Sequence, residues 1–539
     1  MTSVPSSLPR ALPDQRSGDP DFSPTGAELA AHSPRSPIQV VRRDADGARG
    51  VLLPASTGGP APRAEAGWSP EGLLPGIYPE WLGDPSFRAA HGLRFPYVVG
   101  EMANGIATTT MVAAAARTGM LGVFGAAGLA PDQVRRAVTE LRRQLGTGPG
   151  WAVNLIHSPG ERGMENAVAD ILLAQGVRTV SVSAFMELTP AVVRLALTGV
   201  RRLPDGSVHR PVRVMAKVSR PETARAFMSP APPELVRALV RDGLLGREEA
   251  LLADRLPVAE DITAEADSGG HTDNRPLPAL LPRLFALRDE IAGRHGYPVR
   301  VGAAGGLGTP QALAAAFAAG AAYVVTGSVN QTATEAGVCE EAREMLAGAD
   351  LADTVMAPSA DMFELGVKVQ VLGRGTMFAH RAHFLYRLYE RYQSLDDLPE
   401  APRRRLEREV LRASVDEVWR ETERFWAARD PREVERAEAD PRHRMALLFR
   451  WYLGQSSRWA ITGDGQRRTD FQLWCGPAMG AFNHWVAGSF LADTRARSVA
   501  QIGLNLLEGA TVVTRAQQLR AAGLPVPASA FAFTPRPLA

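Results

Sequence analysis

Lysine is nearly absent from this chain: Lys217 and Lys368 are the only two among its 60 basic residues, the rest being arginine. Together with 51 glycines and 41 prolines this bias reflects GC-rich codon usage. Each surviving lysine therefore marks a place where the planar, multidentate guanidinium would not serve. Cysteine is equally scarce. Cys339 and Cys475 form neither a metal-ligand nor a redox spacing, which excludes a disulfide framework and a cysteine-built metal centre. Charge of one sign is lacking too: 60 basic against 58 acidic residues leave a formal +2. That balance argues against nucleic acid or an anionic membrane as the main partner. No apolar run near the N-terminus has the length of a signal peptide or membrane span, so a reduced, cytoplasmic protein is expected.

What is present is the composition of a globular protein, 45% hydrophobic and 22% charged, with room in 539 residues for one large domain plus appendages. Residues 1–36 are rich in Pro, Ser and Gly with few large apolar side chains, and are expected to be a disordered N-terminal segment. Residues 37–95 form a lead-in, with a hairpin expected from Ile38–Arg42 and Gly50–Leu53 and a Pro/Ala/Gly stretch from Pro54 to Pro62. From Tyr97 short β-branched runs alternate with helical periods, the mark of βα units and a parallel sheet. The strands expected are Tyr97–Glu101, Leu121–Gly125, Ala152–Ile156, Arg178–Ser183, Val212–Val218, Ile262–Asp267, Val299–Ala303 and Tyr323–Thr326. Eight such units predict an α/β fold, a (β/α)8 TIM barrel over residues 96–384, favoured over an open doubly wound sheet because glycine-rich strand ends occur all around. An insertion at 221–260, after strand five, holds helical pieces at Pro233–Asp242 and Arg247–Arg255 and reads either as a lid over the barrel mouth or as a plain insertion. Residues 385–520 read as a C-terminal helical domain whose aromatics are packing residues, and 521–539 as a flexible tail.

In such barrels the chemistry sits at the C-terminal ends of the strands. Strand one ends in Gly100–Gly105, which includes Met102 and Ala103; strand three ends in Asn154, strand four in Ala184 and strand five in Lys217. Strand six runs into Glu265-Ala-Asp-Ser-Gly-Gly-His271, with Ser268, Gly269 and Gly270 leading to the histidine. Glycines there let a ligand approach the backbone, and His271 can give or take a proton near neutral pH, although Gly-Gly-His also suits an ordinary turn. Strands seven and eight end in Gly302–Pro310 and Thr326–Gln331. Their small residues, Gly305, Gly306, Gly327 and Ser328, expose backbone N–H groups beside the start of a helix at Thr309-Pro310, a grip for phosphate. A phosphate held there places flavin mononucleotide (FMN) across the mouth. Asn154 then hydrogen-bonds the ring, and Lys217 either faces its N1/O2 edge or is tied up in a salt bridge. No metal site is expected.

With these residues in view the sequence resembles the PfaD-type proteins, trans-acting enoyl reductases of polyunsaturated fatty acid and polyketide synthases. They belong to the superfamily of nitronate monooxygenases and the flavin-dependent enoyl-acyl carrier protein reductase. The resemblance runs from about Leu74 to Thr514. It rests on Ala216-Lys-Val-Ser-Arg-Pro, Glu265-Ala-Asp-Ser-Gly-Gly-His-Thr-Asp, Val301-Gly-Ala-Ala-Gly-Gly, Thr326-Gly-Ser-Val-Asn-Gln, Asp361-Met-Phe-Glu-Leu-Gly-Val-Lys-Val-Gln-Val-Leu, Phe449-Arg-Trp-Tyr and Cys475-Gly-Pro-Ala-Met-Gly-Ala-Phe-Asn. One departure is Glu101 before Met102, where the family more often has a small residue. The resemblance implies FMN as bound cofactor and NADPH as co-substrate. The substrate implied is a trans-2-enoyl thioester on an acyl carrier protein. His271, beside the flavin, is the candidate for either the donor to the thioester oxygen or the source of the α-carbon proton, and Lys217 is the other catalytic candidate. The other readings are an FMN-dependent nitronate monooxygenase and a non-catalytic protein that docks on a synthase. Arg403–Arg405 is either a contact for an acidic carrier protein or a solvated helix face, and a homodimer is a candidate assembly.

Overall fold

In the computed structural model of the chain, residues 20–53, 67–158 and 161–539 are described. They fall into two compact units, one running to Leu82 and including Glu508–Phe533, the other comprising Gly83–Leu507 with Thr534–Ala539.

The first unit holds a three-stranded antiparallel sheet, with Ile38–Arg43 between Arg49–Leu52 and Trp68–Leu74. The expected hairpin is present, and a third strand adds to it. The disorder expected over residues 1–36 does not extend to the described part of that segment, where Pro24–Ala31 is a helix capped by the Ser23 side chain. Its packing face is made of alanines, Ala27, Ala30 and Ala31, so the absence of large apolar residues was no bar to burial. Residues 1–19 and the Pro54–Pro62 stretch lie outside the described residues. The tail is not loose either: Ala528–Phe531 forms a turn of 3-10 helix, with Ala530 buried. Arg515, on helix Val499–Ala521, is fully buried in this unit and donates to the carbonyls of Pro34 and Pro75.

The second unit is built on a closed parallel barrel. Its strands are Tyr97–Val99, Leu121–Phe124, Trp151–Ile156, Thr179–Ser183, Arg213–Val218, Asp261–Glu265, Arg300–Ala304 and Val324–Thr326, in chain order around the ring. Runs such as Tyr97-Val-Val and Val324-Val form barrel strands because helices cover one face and barrel core the other, and both faces are dry. Several helices open on a Thr cap followed by Thr or Pro, as at Thr108, Thr189 and Thr309, each of whose side chains accepts an amide of the first turn. At the N-terminal end of the barrel a buried ion cluster ties three segments together. Arg300 Nε and Nη2 donate to Asp261 at 2.6 and 2.9 Å, and His91 Nε2 lies 2.9 Å from the same carboxylate.

The insertion is where expectation and structure part. Pro221–Met228 is the ordinary helix after strand five, packed on strands five and six. Only then do the extra helices Pro233–Arg241 and Arg247–Leu252 follow, at the N-terminal end of the barrel. There Glu249 accepts the amide of Gly199, and Arg210, just before strand five, donates to the carbonyl of Pro257, just before strand six, at 2.9 Å. The insertion therefore cannot be a lid over the mouth.

The helical region also begins earlier than residue 385. Its core includes Ala357, Phe363, Val369 and Val371 along with Phe378, Trp419, Trp426, Phe449 and Tyr452. Strands Thr354–Pro358 and Lys368–Leu372 supply the early part, and the aromatics are packing residues as expected. Arg403, Arg404 and Arg405 are each paired with carboxylates, Asp396 and Glu407, Glu400, and Glu409 respectively. They form a solvated helix face, not a bare cationic patch. Among the described residues no helix is long and apolar enough to cross a membrane.

Candidate active site

The floor of the barrel mouth is an ionic cluster. Lys217, near the end of strand five, points its Nζ at Glu265 Oε1 (3.0 Å) on strand six and at Glu101 Oε1 (3.4 Å) just past strand one. Ser181 Oγ donates to the same Glu101 oxygen at 3.1 Å. Asn154 Nδ2 donates to Ser183 Oγ at 2.9 Å and to the Ser181 carbonyl at 3.1 Å, with Glu101 at 3.5 Å. Burial alone would depress the ammonium of Lys217, but the two carboxylates outweigh it and hold the group above its ordinary value. The salt bridge left open by the sequence is thus present, and Lys217 stays charged at the base of the mouth.

Around this floor the strand ends are shaped for a ligand that contacts backbone. Gly305 and Gly306 have φ of +88° and +70°. A Cβ built on Gly306 or on Gly327 meets no atom within 4 Å, so both face open space. The helix Pro310–Ala318 starts beside them, capped by Thr309. These are the features a phosphate-binding cradle needs, and in that respect the residues fit FMN. Ala184 sits at φ +63°, a left-handed conformation an alanine rarely takes, at the end of strand four. It turns Phe185 onto the ring of His157, 4.9 Å away. Met102 is buried, and its carbonyl lies so near Gly125 that any Cβ there would come within 1.7 Å. Ser328 Oγ accepts the amide of Gly476 at 3.1 Å, and Ser268 donates to Glu265 at 3.4 Å. Ala103 and Gly270 lie in the same loops, at the ends of strands one and six.

His271 is held in a way the sequence did not disclose. Gly270-His271 is a short strand pairing antiparallel with Lys368–Leu372, which in turn pairs with Thr354–Pro358. That sheet brings Ser359 and Asp361 to the imidazole: His271 Nε2 is 3.2 Å from Ser359 Oγ and 3.2 Å from Asp361 Oδ1. Ser359 also hydrogen-bonds Asp361. Burial works against a charged His271, but Asp361 and Glu265 raise it above its ordinary value despite the opposing Lys217. Asp361, although burial favours its neutral form, is held below the usual carboxylate range by His271 and Ser359.

The helical region roofs this mouth, a role that the sequence had suggested for the insertion. Asn104, after strand one, donates to Ser457 at 3.1 Å, and Arg429 clamps Glu161, after strand three, with two 2.8 Å bonds. The segment Trp474-Cys475-Gly476 lies on the loops after strands six and eight, where Gln331 donates to the Trp474 carbonyl and a Cβ on Gly269 would come within 2.9 Å of the Cys475 amide. Cys475 is a buried free thiol pushed up to about 12 by desolvation. A further pair missed in the sequence is His157 and Glu165, 3.2 Å apart, with Thr189 donating to the same carboxylate. The run Asn154-Leu-Ile-His157, which places a histidine just past strand three, was the available signal.

A family model described as nitronate monooxygenase matches residues 87–376, and one described as the inserted helical domain of acyl-carrier-protein S-malonyltransferase matches residues 392–471. The chain is 46% identical over 448 residues to a polyunsaturated fatty acid synthase subunit of Thraustochytrium sp., covering 81% of this chain and 30% of that protein. It is 44% identical over 444 residues to polyketide biosynthesis protein ThaF of Burkholderia thailandensis, covering 82% of this chain and 38% of that one. The chain thus spans about a third of the length of these curated relatives. Among solved structures, the enoyl reductase domain of MlnA from the macrolactin biosynthesis cluster of Bacillus amyloliquefaciens superposes with a TM-score of 0.78 at 36% identity, covering 82% of this chain and 99% of that one.

Proposed function

The chain belongs to the nitronate monooxygenase family, in the branch of the PfaD-type proteins of polyunsaturated fatty acid and polyketide synthases, and from that footing we propose that it is a trans-acting enoyl reductase. Its substrate is a trans-2-enoyl thioester carried by an acyl carrier protein of such a synthase, its bound cofactor FMN and its reductant NADPH, in the cytoplasm. The observation that carries this reading is the reach of the likeness to an enoyl reductase domain: 82% of the chain, where the nitronate monooxygenase model stops at residue 376.

When bound, FMN supplies the relay of hydride from NADPH to the β-carbon of the enoyl group. The amides around Gly305, Gly306, Gly327 and Ser328 hold its phosphate, with the helix at Pro310 adding its positive end. Lys217 keeps a cation under the mouth, and Glu101 and Glu265 fix where that cation sits. Met102, Ala103, Asn154 and Ala184 line the approach from strands one, three and four. As hydride arrives at the β-carbon, the α-carbon must take a proton. His271 delivers it from Nδ1, because Nε2 is already held by Ser359 and Asp361. The helical roof keeps bulk water from competing for that step.

The test is an anaerobic mixture of the FMN-loaded protein, NADPH and a crotonyl-carrier thioester. Catalytic loss of the nicotinamide absorbance with a butyryl product is expected. Absence of anaerobic turnover with every enoyl carrier tried would overturn the proposal. The second reading, oxidation of a nitronate, is favoured by the family model over the barrel. It requires dioxygen and no stoichiometric NADPH.

A further inference from the structure

Resting on that reading, we propose that Asp361, with Ser359 beside it, is the positioning residue for His271, so that the group protonating the α-carbon is a histidine–carboxylate pair. Three separate stretches of chain are needed to build it. Gly270 pairs with Gln370 and His271 with Val369, while Lys368 pairs with Pro358. Ser359 and Asp361 therefore leave the end of the neighbouring strand alongside the imidazole. Ser359 is buried and its amide donates to the Val367 carbonyl at 2.9 Å, which anchors the turn. Its hydroxyl donates to Asp361, leaving an oxygen lone pair that shares the Nε2 proton with the carboxylate, each 3.2 Å from the nitrogen.

The consequence is a fixed division of labour between the two ring nitrogens. A carboxylate accepting from Nε2–H keeps that proton in place in both charge states of the ring. The proton that leaves is then always the one on Nδ1, and the neutral ring left behind is already the correct tautomer to be recharged from solvent. The charged groups facing His271 are Asp361 and Glu265, which favour the imidazolium, and Lys217, which opposes it. Side-chain exposures of 29% for His271 and 45% for Asp361 leave the pair open to a ligand and to a proton source.

The experiment uses the full-length FMN-loaded protein and its variants D361N, D361E and H271A. Two rates are measured across pH in each: reduction by NADPH, and single-turnover oxidation of the reduced protein by a crotonyl-carrier thioester. For D361N the ratio of the second rate to the first should fall about a hundredfold near neutral pH, within the range general acid catalysis supplies. The alkaline fall-off of the second rate should move to lower pH, because the carboxylate that favours imidazolium is gone. D361E should bring the fall-off back toward its wild-type position, which also shows that loss in D361N is not misfolding. A D361N profile lowered evenly, with its fall-off unmoved, would overturn the assignment while leaving the reductase reading intact. A wild-type protein that transfers nothing to the thioester, or whose fall-off survives in H271A, would overturn the reading of the site and this proposal with it.

Discussion

Replacing Lys217 with methionine removes one charge from a cluster of three and leaves the apolar stem almost unchanged in size. At an effective dielectric of about 20, each of the contacts at 3.0 and 3.4 Å is worth roughly 5 kcal/mol of gross attraction. Desolvating three ions cancels most of that, so the intact cluster adds little net stability. Removing only the cation is another matter, because Glu101 and Glu265, 7% and 16% exposed, would then face each other unpaired. Breaking a buried pair in this way costs about 3–5 kcal/mol, or about 3–6 °C in melting temperature for a unit as large as Gly83–Leu507. The assay is thermal unfolding of wild type, K217M, E101Q and K217M/E101Q at one scan rate. The double variant should be more stable than the sum of the singles predicts, by at least about 1 kcal/mol, since E101Q removes one of the two stranded charges. A melting temperature for K217M within about 2 °C of wild type, or strict additivity in the cycle, would refute the reasoning.

Three further outcomes are expected. Asp261 is fully buried, which by itself would raise its carboxyl, yet His91 and Arg300 hold it down at about 2. Its folded value lies below its unfolded one, so its contribution of roughly 2 kcal/mol is complete above about pH 4 and is lost as pH falls toward 2; urea midpoints against pH should show that loss in wild type and not in D261N. Gly327→Ala should fold normally, because a Cβ there meets nothing within 4 Å. It should nevertheless weaken FMN binding at least tenfold by filling the cradle, and an unchanged dissociation constant by fluorescence titration would remove Gly327 from the phosphate site. Alanine at Arg403, Arg404 and Arg405 together should change the KM for a carrier thioester less than twofold and lower stability by about 1 kcal/mol, since each charge is already spent on a helix-face carboxylate.

The eight strands and the residues at their ends were legible because both depend on local pattern: β-branched runs for a sheet buried on both faces, glycine and small residues where backbone must be approached. Lys217 could be singled out by composition alone, but not its partners. Glu265 is set beside it by the pairing of strands five and six and Glu101 by closure of the barrel, and nothing in their spacing from residue 217 records that. Asp361 is 90 residues from His271 and reaches it through a sheet whose shortest strand is two residues long, below any period that can be read. The alanine face of Pro24–Ala31 failed for the opposite reason, since its signal was small side chains where large ones were sought.

The misplaced lid shows what the sequence does carry. In a βα barrel an excursion covers the mouth only if it lies between a strand and the helix that follows; one that lies between a helix and the next strand sits at the other end. Strand five ends at Val218 and its helix begins at Pro221, so no room exists there for a lid, and the extra helices had to emerge at the far end. Long strand-to-helix connections follow strand one, from Gly100 to Thr108, strand six, from Ala266 to Pro276, and strand eight, from Gly327 to Cys339. These loops hold Glu101, Met102, Ser268, His271 and Ser328, and the roof rests on all three through Asn104–Ser457, Gly269–Cys475 and Gln331–Trp474. If the roof and not the insertion closes the site, shortening the 233–255 segment should alter stability but leave the KM for the carrier thioester within twofold. Replacing Arg429 with alanine, which breaks the clamp on Glu161, should instead raise that KM several-fold with little change in melting temperature. Steady-state kinetics on the two variants decides the matter, and the reverse pattern would return the lid to the insertion.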